Sequence, residues 1–433
     1  MTKPRLAVVM IVRDAQDWLP GCIESVRPVA DEIVVGDTGS SDGAASVADS
    51  LGARLISIPW QDDFAAARNA VLAGTDADWL LHMDADEALD DRCAAETKRL
   101  VREGGADAYE VTLANYTDDP RSWRWIAADP NDPRSRGYSG YVATHIPRLF
   151  RNGRGFEYRE RIHESITESI EERGGVIAPS NIVIHHYGFA SGAKSPEKRA
   201  YYRELCARKV RERPKDPKAW HEWGVQLIEG GDSDEGAHAL EQALALAPDY
   251  APALMTLANH RLKAGAWDVA RDLLERSLRC GLRNGAVEAA LGAIDIREGG
   301  PETARDRLEA AARHDPQSLL LWLTLARAWD CMGGAEQARA ALDRAARLAH
   351  NAPMVQDRLA AHADRENGRQ ALEAGQAKTG LTQLVAAARR DPEDPVIHLL
   401  MARGLTLLGA GERAQRTRAF ADKLCPGVSA RLS

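Results

Sequence analysis

The chain has 433 residues, 44% of them hydrophobic and 28% charged, with a formal net charge of −8. That length allows two or three domains with sizeable cores, and the acidic balance argues against a general nucleic-acid binder, which would carry a basic domain. No apolar stretch approaches the ~20 residues that a membrane span needs.

Met1-Thr2-Lys3-Pro4 runs straight into a strand-like segment, without the apolar core and cleavage site of a signal peptide. Six cysteines (Cys22, Cys93, Cys206, Cys280, Cys331, Cys425) show no CxxC spacing, which points to reduced, structural thiols and a cytoplasmic protein. Leu6 to Val12 is a continuous apolar run, followed by helix-like spacing from Trp18 to Val26. Glu32 to Gly36, Arg54 to Ile58 and Trp79 to Met83 read as further strands, with helices expected over Asp42–Leu51 and Asp62–Leu72. Strands of roughly 5 residues alternating with helices of ~10 predict a parallel sheet with right-handed crossovers. Ligands of such open sheets bind outside the carboxyl ends of the strands.

Two acidic signals fall on that edge. Asp37 follows the second strand in Gly36-Asp37-Thr38-Gly39-Ser40-Ser41-Asp42-Gly43, and Asp84 and Asp86 follow the fourth in Asp84-Ala85-Asp86-Glu87. Taken singly, each is equally a turn or a helix cap; two acidic loops on one sheet edge are hard to treat as accidental, and acids at such a mouth are usually paired or on a metal. Arg13-Asp14-Ala15-Gln16-Asp17 after the first strand is neither GxGxxG nor a P-loop, which excludes dehydrogenases and P-loop enzymes. An EF-hand is excluded because its alternating oxygen donors are missing.

Four ordered motifs carry a resemblance: Val9-Met10-Ile11-Val12-Arg13, the Asp37 loop, Pro59-Trp60-Gln61-Asp62-Asp63-Phe64-Ala65-Ala66-Ala67-Arg68-Asn69, and Asp84-Ala85-Asp86-Glu87. Over roughly the first 200 residues the chain resembles family 2 glycosyltransferases, in the bacterial branch with C-terminal tetratricopeptide repeats. The resemblance implies a GT-A fold, Rossmann-like with a mostly parallel sheet, and inverting transfer from a nucleotide sugar, usually a UDP sugar, with Mn²⁺ or Mg²⁺. It places Val12, Asp37, Arg68, Asn69 and Asp84 on the nucleotide sugar and Asp86 on the metal. The bland alternative for Arg68 and Asn69 is a surface Arg and a helix-interior Asn.

A helix is expected from Asp90 to Ala108 and a strand from Tyr109 to Leu113. Asn115 to Arg161 holds nine Arg, six Asp or Glu and no Lys, together with Tyr116, Trp123, Trp125, Tyr138 and Tyr141. This local basic excess suits an anionic diphosphate or acceptor. Arg161-Ile162-His163-Glu164-Ser165 resembles the Arg-x-His-Glu element of the same branch, making Glu164 the general-base candidate; His163 is left to orient it, meet the diphosphate or bind metal. Inverting transfer needs such a base opposite the leaving group. Ile182-Val183-Ile184-His185-His186-Tyr187-Gly188 ends a strand with two histidines, and the resemblance implies one downstream His as third metal ligand. His186 is preferred, with His185, His163 and His145 as rivals.

A charged helix from Ser195 to Arg213 leads to a helical array. Trp220, Leu254, Glu288 and Trp322 are each 34 apart, as are Gly224, Ala258, Gly292 and Ala326, and Leu240, Leu274, Leu308 and Leu342. This is the tetratricopeptide period. The register slips by about eight residues before Asp391-Pro392 resumes it, leaving a longer helix over Val355–Ala377 and a terminal helical pair over Val396–Leu424. The expected organisation is a transferase domain over 1–194, a helical linker over 195–217, four repeats over 218–352 and a degenerate, capping or dimerising end over 353–433. Expected partners are a nucleotide-sugar donor, a peptide, protein or saccharide acceptor and a second copy of the chain bound through the repeats. The alternative is a repeat-based adaptor with an inactive transferase domain.

Overall fold

The computed structural model describes residues 3–122, 125–188, 196–282 and 284–432. Trp123 and Ser195, singled out above, lie outside the described residues. Contacts divide the chain into two compact units, Met1–Tyr116 with Val142–Ala247 and Thr117–Tyr141 with Pro248–Ser433.

The first unit contains β1 (Leu6–Val12), α1 (Leu19–Val26), β2 (Glu32–Asp37), α2 (Ala44–Ser50), β3 (Arg54–Ser57), α3 (Phe64–Leu72), β4 (Trp79–His82), β5 (Glu87–Leu89), α4 (Ala94–Glu103) and β6 (Ala108–Tyr116). β7 (Trp125–Ala127) belongs to the second unit and pairs with β8 (Gly140–Arg151), which runs back into the first. There α5 (Thr167–Glu172), β9 (Ile177–His186), α6 (Pro196–Glu212), α7 (Pro217–Gly230) and α8 (Ser233–Leu246) follow. Apart from β7, the strand order is β3-β2-β1-β4-β8-β6-β9-β5. β1 pairs in parallel with β2 and β4, and β2 with β3; β8 and β5 add antiparallel partners to β4 and β9.

The apolar run of β1 is explained by burial on both faces. Leu6, Val8, Met10 and Val12 join one core layer with Leu19, Ile23 and Val26 of α1, while Ala7 and Val9 join another with Ala67 and Val71 of α3. The same alternation sorts β4: Trp79, Leu81 and Met83 face the first layer and Leu80 the second. His82, two residues after Leu80, therefore faces α3. Gly36 lets α3 approach the sheet, since a Cβ there would lie 2.4 Å from Val71 Cγ2. Asp63 caps α3 by accepting the Ala66 N–H at 2.8 Å.

α6 is more than a linker. Leu205 and Cys206 are buried against Ile162 and Phe64, and α6 groups with the sheet, as does the first helical pair α7/α8. The division by contacts therefore falls after Ala247, away from the composition boundaries at 194 and 217.

The second unit continues with α9 (Ala251–Lys263), α10 (Trp267–Arg279), α11 (Gly285–Arg297), α12 (Pro301–His314), α13 (Leu319–Cys331), α14 (Ala335–Ala349), α15 (Pro353–Glu373), α16 (Ala377–Arg390), α17 (Pro395–Leu407), α18 (Gly411–Leu424) and α19 (Val428–Arg431). The repeat positions are close helix crossings. A Cβ on Gly224 would lie 2.8 Å from Leu240 Cγ, and one on Gly292 would lie 3.0 Å from Leu308 Cγ. Gly368 meets Leu384 Cγ in the same way, at 2.7 Å. Gly368 stands eight residues beyond the position a strict repeat would give it, so α15 is lengthened to 21 residues while its crossing with α16 is kept. Among the described residues the cysteines form no disulfide.

Candidate active site

The carboxyl ends of β1, β2 and β4 gather the predicted acids on one edge. Val12 is buried in register with Asp37, and its carbonyl accepts from Thr38 N and Oγ1 at 3.0 and 2.9 Å. The Asp37 Oδ1 accepts the Ser40 N–H at 3.0 Å, shaping its loop. Asp14, which was not singled out in the sequence, sits in a left-handed conformation and accepts from Ser41 N and Oγ at 2.7 and 3.0 Å. These bonds hold its carboxyl below the usual value and stitch the loops after β1 and β2 together.

Asp84 and Asp86 have different surroundings. Asp84 Oδ1 pairs with Arg68 Nη2 at 2.9 Å and Oδ2 with Arg148 Nη2 at 3.2 Å, with His82 Nε2 at 3.4 Å. Burial opposes its charge, and the two guanidinium groups outweigh that and hold it well below the usual carboxylate range. The same burial and the same arginines keep His82 neutral. Glu87 caps the loop by accepting the Asp84 N–H at 2.8 Å and binds Arg148 at 3.1 Å. Its burial, with the nearby Asp84 charge, raises it to about 7 against the pull of Arg148.

Arg68 reaches further. Its Nε donates to Glu164 Oε1, so one guanidinium bridges Asp84 and Glu164. The side chains of Arg68 and Glu164 are 9% and 11% exposed, which places the base candidate inside the site. Tyr158 completes the cluster, its hydroxyl 2.7 Å from His82 Nδ1. His163 is exposed at φ 53°, and its carbonyl accepts from Lys218 Nζ at 3.2 Å. Asn69, expected at the nucleotide, instead clamps a backbone: its amide donates to Tyr158 O at 2.8 Å and accepts from Tyr158 N at 2.7 Å.

Asp86 faces a different partner. His186 Nε2 lies 3.5 Å from Asp86 Oδ2, with 21% and 32% of the two side chains exposed. His186 Nδ1 is 2.7 Å from Asn115 Oδ1, an acceptor that fixes a proton on Nδ1; Nε2, on the Asp86 side, carries the lone pair of the neutral ring and donates to Asp86 when the ring is protonated. Burial opposes the histidine's charge, and Asp86 outweighs it, so His186 is held above its usual value. Gly188 closes the cradle: a Cβ there would sit 1.7 Å from Asp86 Oδ2 and 3.2 Å from His186 Nε2. His185 points the other way, buried between Tyr116 Oη at 3.0 Å and Asp90 Oδ2 at 3.2 Å. His145 is exposed on β8, 3.3 Å from Thr112 Oγ1. Among the described residues no three His, Cys, Asp or Glu side chains form a ready metal cage.

Comparison with known proteins bears on this edge directly. The sequence model described as "Glycosyl transferase family 2" matches residues 7–166. Residues 7–166 are a family 2 glycosyltransferase domain. A tetratricopeptide repeat model matches residues 227–294 beyond it. A TPR repeat-containing protein of Synechococcus elongatus is 29% identical over 248 residues, which cover 55% of this chain and 56% of that one. An uncharacterized glycosyltransferase of Rickettsia bellii is 28% identical over 112 residues, 25% of this chain and 38% of that one. The lipopolysaccharide core biosynthesis glycosyltransferase LpsC of Rhizobium meliloti is 28% identical over 172 residues, covering 37% of this chain and 56% of that one. The chain thus spans little more than half of these relatives at most. Within the transferase domain, the β4 loop with Asp84 and Asp86, Arg68 on α3 and Glu164 all fall inside the match. His186, Gly188 and α6 lie outside it.

Sequence reasoning gave no site role to His82, Arg148 or Tyr158, although Arg148-Leu149-Phe150-Arg151-Asn152 resembles a signature strand of the family. The available signal was parity: Leu80, His82 and Asp84 alternate along one face, so a polar His among buried positions needed a polar neighbour.

Proposed function

We propose that the enzyme transfers a sugar with inversion from a nucleotide sugar, of the UDP class, to a hydroxyl or thiol of a peptide, protein or saccharide, with a divalent cation at Asp86 and His186. The observation that carries this reading is the Asp86–His186 pair over Gly188, beside the Asp84–Arg68–Glu164 chain. The donor set fits such an ion: one carboxylate and one imidazole with its tautomer fixed suit Mn²⁺ or Mg²⁺ when diphosphate oxygens and water complete the shell. Bound there, the cation would offset the charge that builds on the leaving diphosphate.

The chain's own residues do the rest. Arg68 and Arg148 hold Asp84 in one orientation, and Arg68 holds Glu164 one guanidinium away. Glu164 takes the acceptor proton as the acceptor oxygen or sulfur bonds to the sugar's anomeric carbon. The bond from that carbon to the diphosphate breaks, and its electron pair leaves with the nucleoside diphosphate. Gly188 keeps side-chain volume out of the cation cradle. The helical array, a fold built for protein contacts, is proposed to present the acceptor or a protein partner.

Release of nucleoside diphosphate across a panel of UDP, GDP and ADP sugars tests the reading. Turnover that stops with EDTA, returns with Mn²⁺ and falls about 100-fold in Asp86→Ala is expected. Turnover indifferent to EDTA and to Asp86→Ala would remove the metal from the reading, and a chain that binds no sugar nucleotide would remove the donor.

A further inference from the structure

A cavity of about 930 Å³ opens beside the site described, within the first unit. Val12, Asp14 and Thr38 line it from the ends of β1 and β2, Trp60 from the turn before α3, and Tyr201 and Tyr202 from α6. Its size suits a small-molecule ligand, and its place outside the carboxyl ends of the strands is where open sheets of this kind bind one. α6 lies beyond the residues matched by the transferase family, whereas Trp60 lies within them.

The wall is built rather than incidental. Trp60 Nε1 donates to Tyr201 Oη at 2.9 Å, and Tyr201 Oη donates to Asp62 Oδ1 at 2.7 Å. Burial and the Asp62 carboxylate push the Tyr201 hydroxyl up to about 12, so it stays a donor. Asp62 itself is held at φ 54°, a left-handed conformation that an Asp adopts when local bonds secure it. Trp60 and Phe64 meet edge to face at 4.8 Å, and Phe64 stacks on Tyr202 at 6.2 Å. Two turns further along α6, Lys209 is 2% exposed and donates to Glu160 Oε2 at 2.6 Å, Glu222 Oε2 at 2.5 Å and the Ile162 carbonyl at 3.2 Å. That buried ammonium pins α6 to the segment that carries Glu164.

We infer that α6 supplies the aromatic wall on which the nucleobase of the donor lies, with Trp60, Tyr201 and Tyr202 lining it; the Tyr201 and Tyr202 rings meet at 83°, so a base that stacks on one meets the other edge-on. The inference rests on the donor being a sugar nucleotide, as proposed above. Its chemistry is base stacking on aromatic faces, which tolerates any base; the bonds between Trp60, Tyr201 and Asp62 hold the rings in place. Phosphate recognition is left to Asp84 and Asp86, in the loop that follows β4. Tyr201 and Tyr202 thus hold the nucleoside half of the donor whatever its base and touch none of the reacting atoms.

Isothermal titration of the full chain with UDP, GDP, ADP and inorganic pyrophosphate, each with Mn²⁺, separates the two halves. In Tyr202→Ala the nucleoside diphosphates are expected to bind about tenfold more weakly, while pyrophosphate binds as in the wild type. Tyr201→Phe keeps the ring and releases Trp60 and Asp62, and about a threefold loss confined to the nucleoside diphosphates is expected; this conservative variant decides the matter if Tyr202→Ala does not fold. Nucleoside diphosphate affinities unchanged in both variants, with wild-type binding intact, overturn the α6 wall and leave the transferase reading standing. A wild-type chain that binds none of the three nucleoside diphosphates overturns the sugar-nucleotide donor and the wall together.

Discussion

Two buried clusters of Arg, Asp and His, one in each unit, are made from the same parts and differ in how they end. In the array, Arg365 is 2% exposed and donates to Asp330 Oδ1 at 2.8 Å and Asp394 Oδ2 at 3.1 Å, with His362 Nδ1 at 2.8 Å. Asp391 pairs with Arg327 and, at 3.0 Å, with Arg358. Asp394 also caps α17 through the Val396 N–H at 2.8 Å. Each of these carboxylates is met by a guanidinium within the cluster, so the network closes on itself. In the transferase unit, Arg68 and Arg148 bind His82, Asp84, Glu87 and Glu164 just as tightly, but the chain continues one residue past Ala85 to Asp86, whose partner is a histidine at 3.5 Å. A closed network holds shape; an open one offers a charge to a ligand. Residue type does not separate the two, and termination does.

The largest expected effect falls on the closed cluster. Arg365→Ala leaves Asp330 and Asp394 buried without their cation and is expected to destabilise the array by about 3–5 kcal/mol, read by urea denaturation. Survival of the array with a loss under about 1 kcal/mol would dissolve the distinction. Next comes the open end: Asp86→Ala is expected to lower turnover by about 100-fold, equivalent to about 2.7 kcal/mol of transition-state stabilisation, with the melting temperature unchanged. A fall in melting temperature without a fall in turnover would make Asp86 a structural residue.

Acid sharpens the comparison further. Burial raises Asp394, and Arg327 and Arg365 outweigh it and hold it at about 2, below its ordinary 3.8. A depressed carboxylate contributes stability above its unfolded value and loses it as pH falls through the folded one. On the order of 2 kcal/mol of array stability is therefore expected to disappear between pH 3.8 and about 2, and Asp394→Asn, already weaker at neutral pH, should flatten that slope in circular dichroism titrations. The smallest effect belongs to Asn69, a residue beside the open cluster with a closed role. Asn69→Ala removes both bonds to the Tyr158 backbone and is expected to cost about 1 kcal/mol in thermal unfolding while nucleoside diphosphate affinity stays within twofold. A selective loss of donor affinity would return Asn69 to the nucleotide.

Much of this was legible in the chain. The alternation of short apolar runs with helices gives the parallel half of the sheet, and the acids after β2 and β4 mark its binding edge. The 34-residue spacing gives the array, down to the eight-residue slip that now appears as the long α15. What could not be read is pairing between distant strands. The choice of His186 over His185 depends on the register Glu87↔His186 between β5 and β9, and nothing local fixes it. The partners of Asp84 were hidden for the same reason: Arg148 arrives on β8, 64 residues away in sequence. A similar limit applied to α6, whose charged sequence suggested a spacer. Its buried side, Leu205, Cys206 and Lys209, is short in apolar content because one of its three anchors is an ion pair.

The lengthened α15 has a consequence for how the array comes apart. In a regular solenoid each repeat touches only its neighbours, and melting or pulling proceeds unit by unit as in a one-dimensional chain of dominoes. Arg365 on α15 joins Asp330 on α13 to Asp394 at the head of α17, and Arg327 on α13 reaches past α15 to Asp391. Those bonds skip a neighbour. The helices from α13 to α17 are thereby tied into one cooperative block, so an unfolding front that reaches it meets a single large step there instead of several small ones.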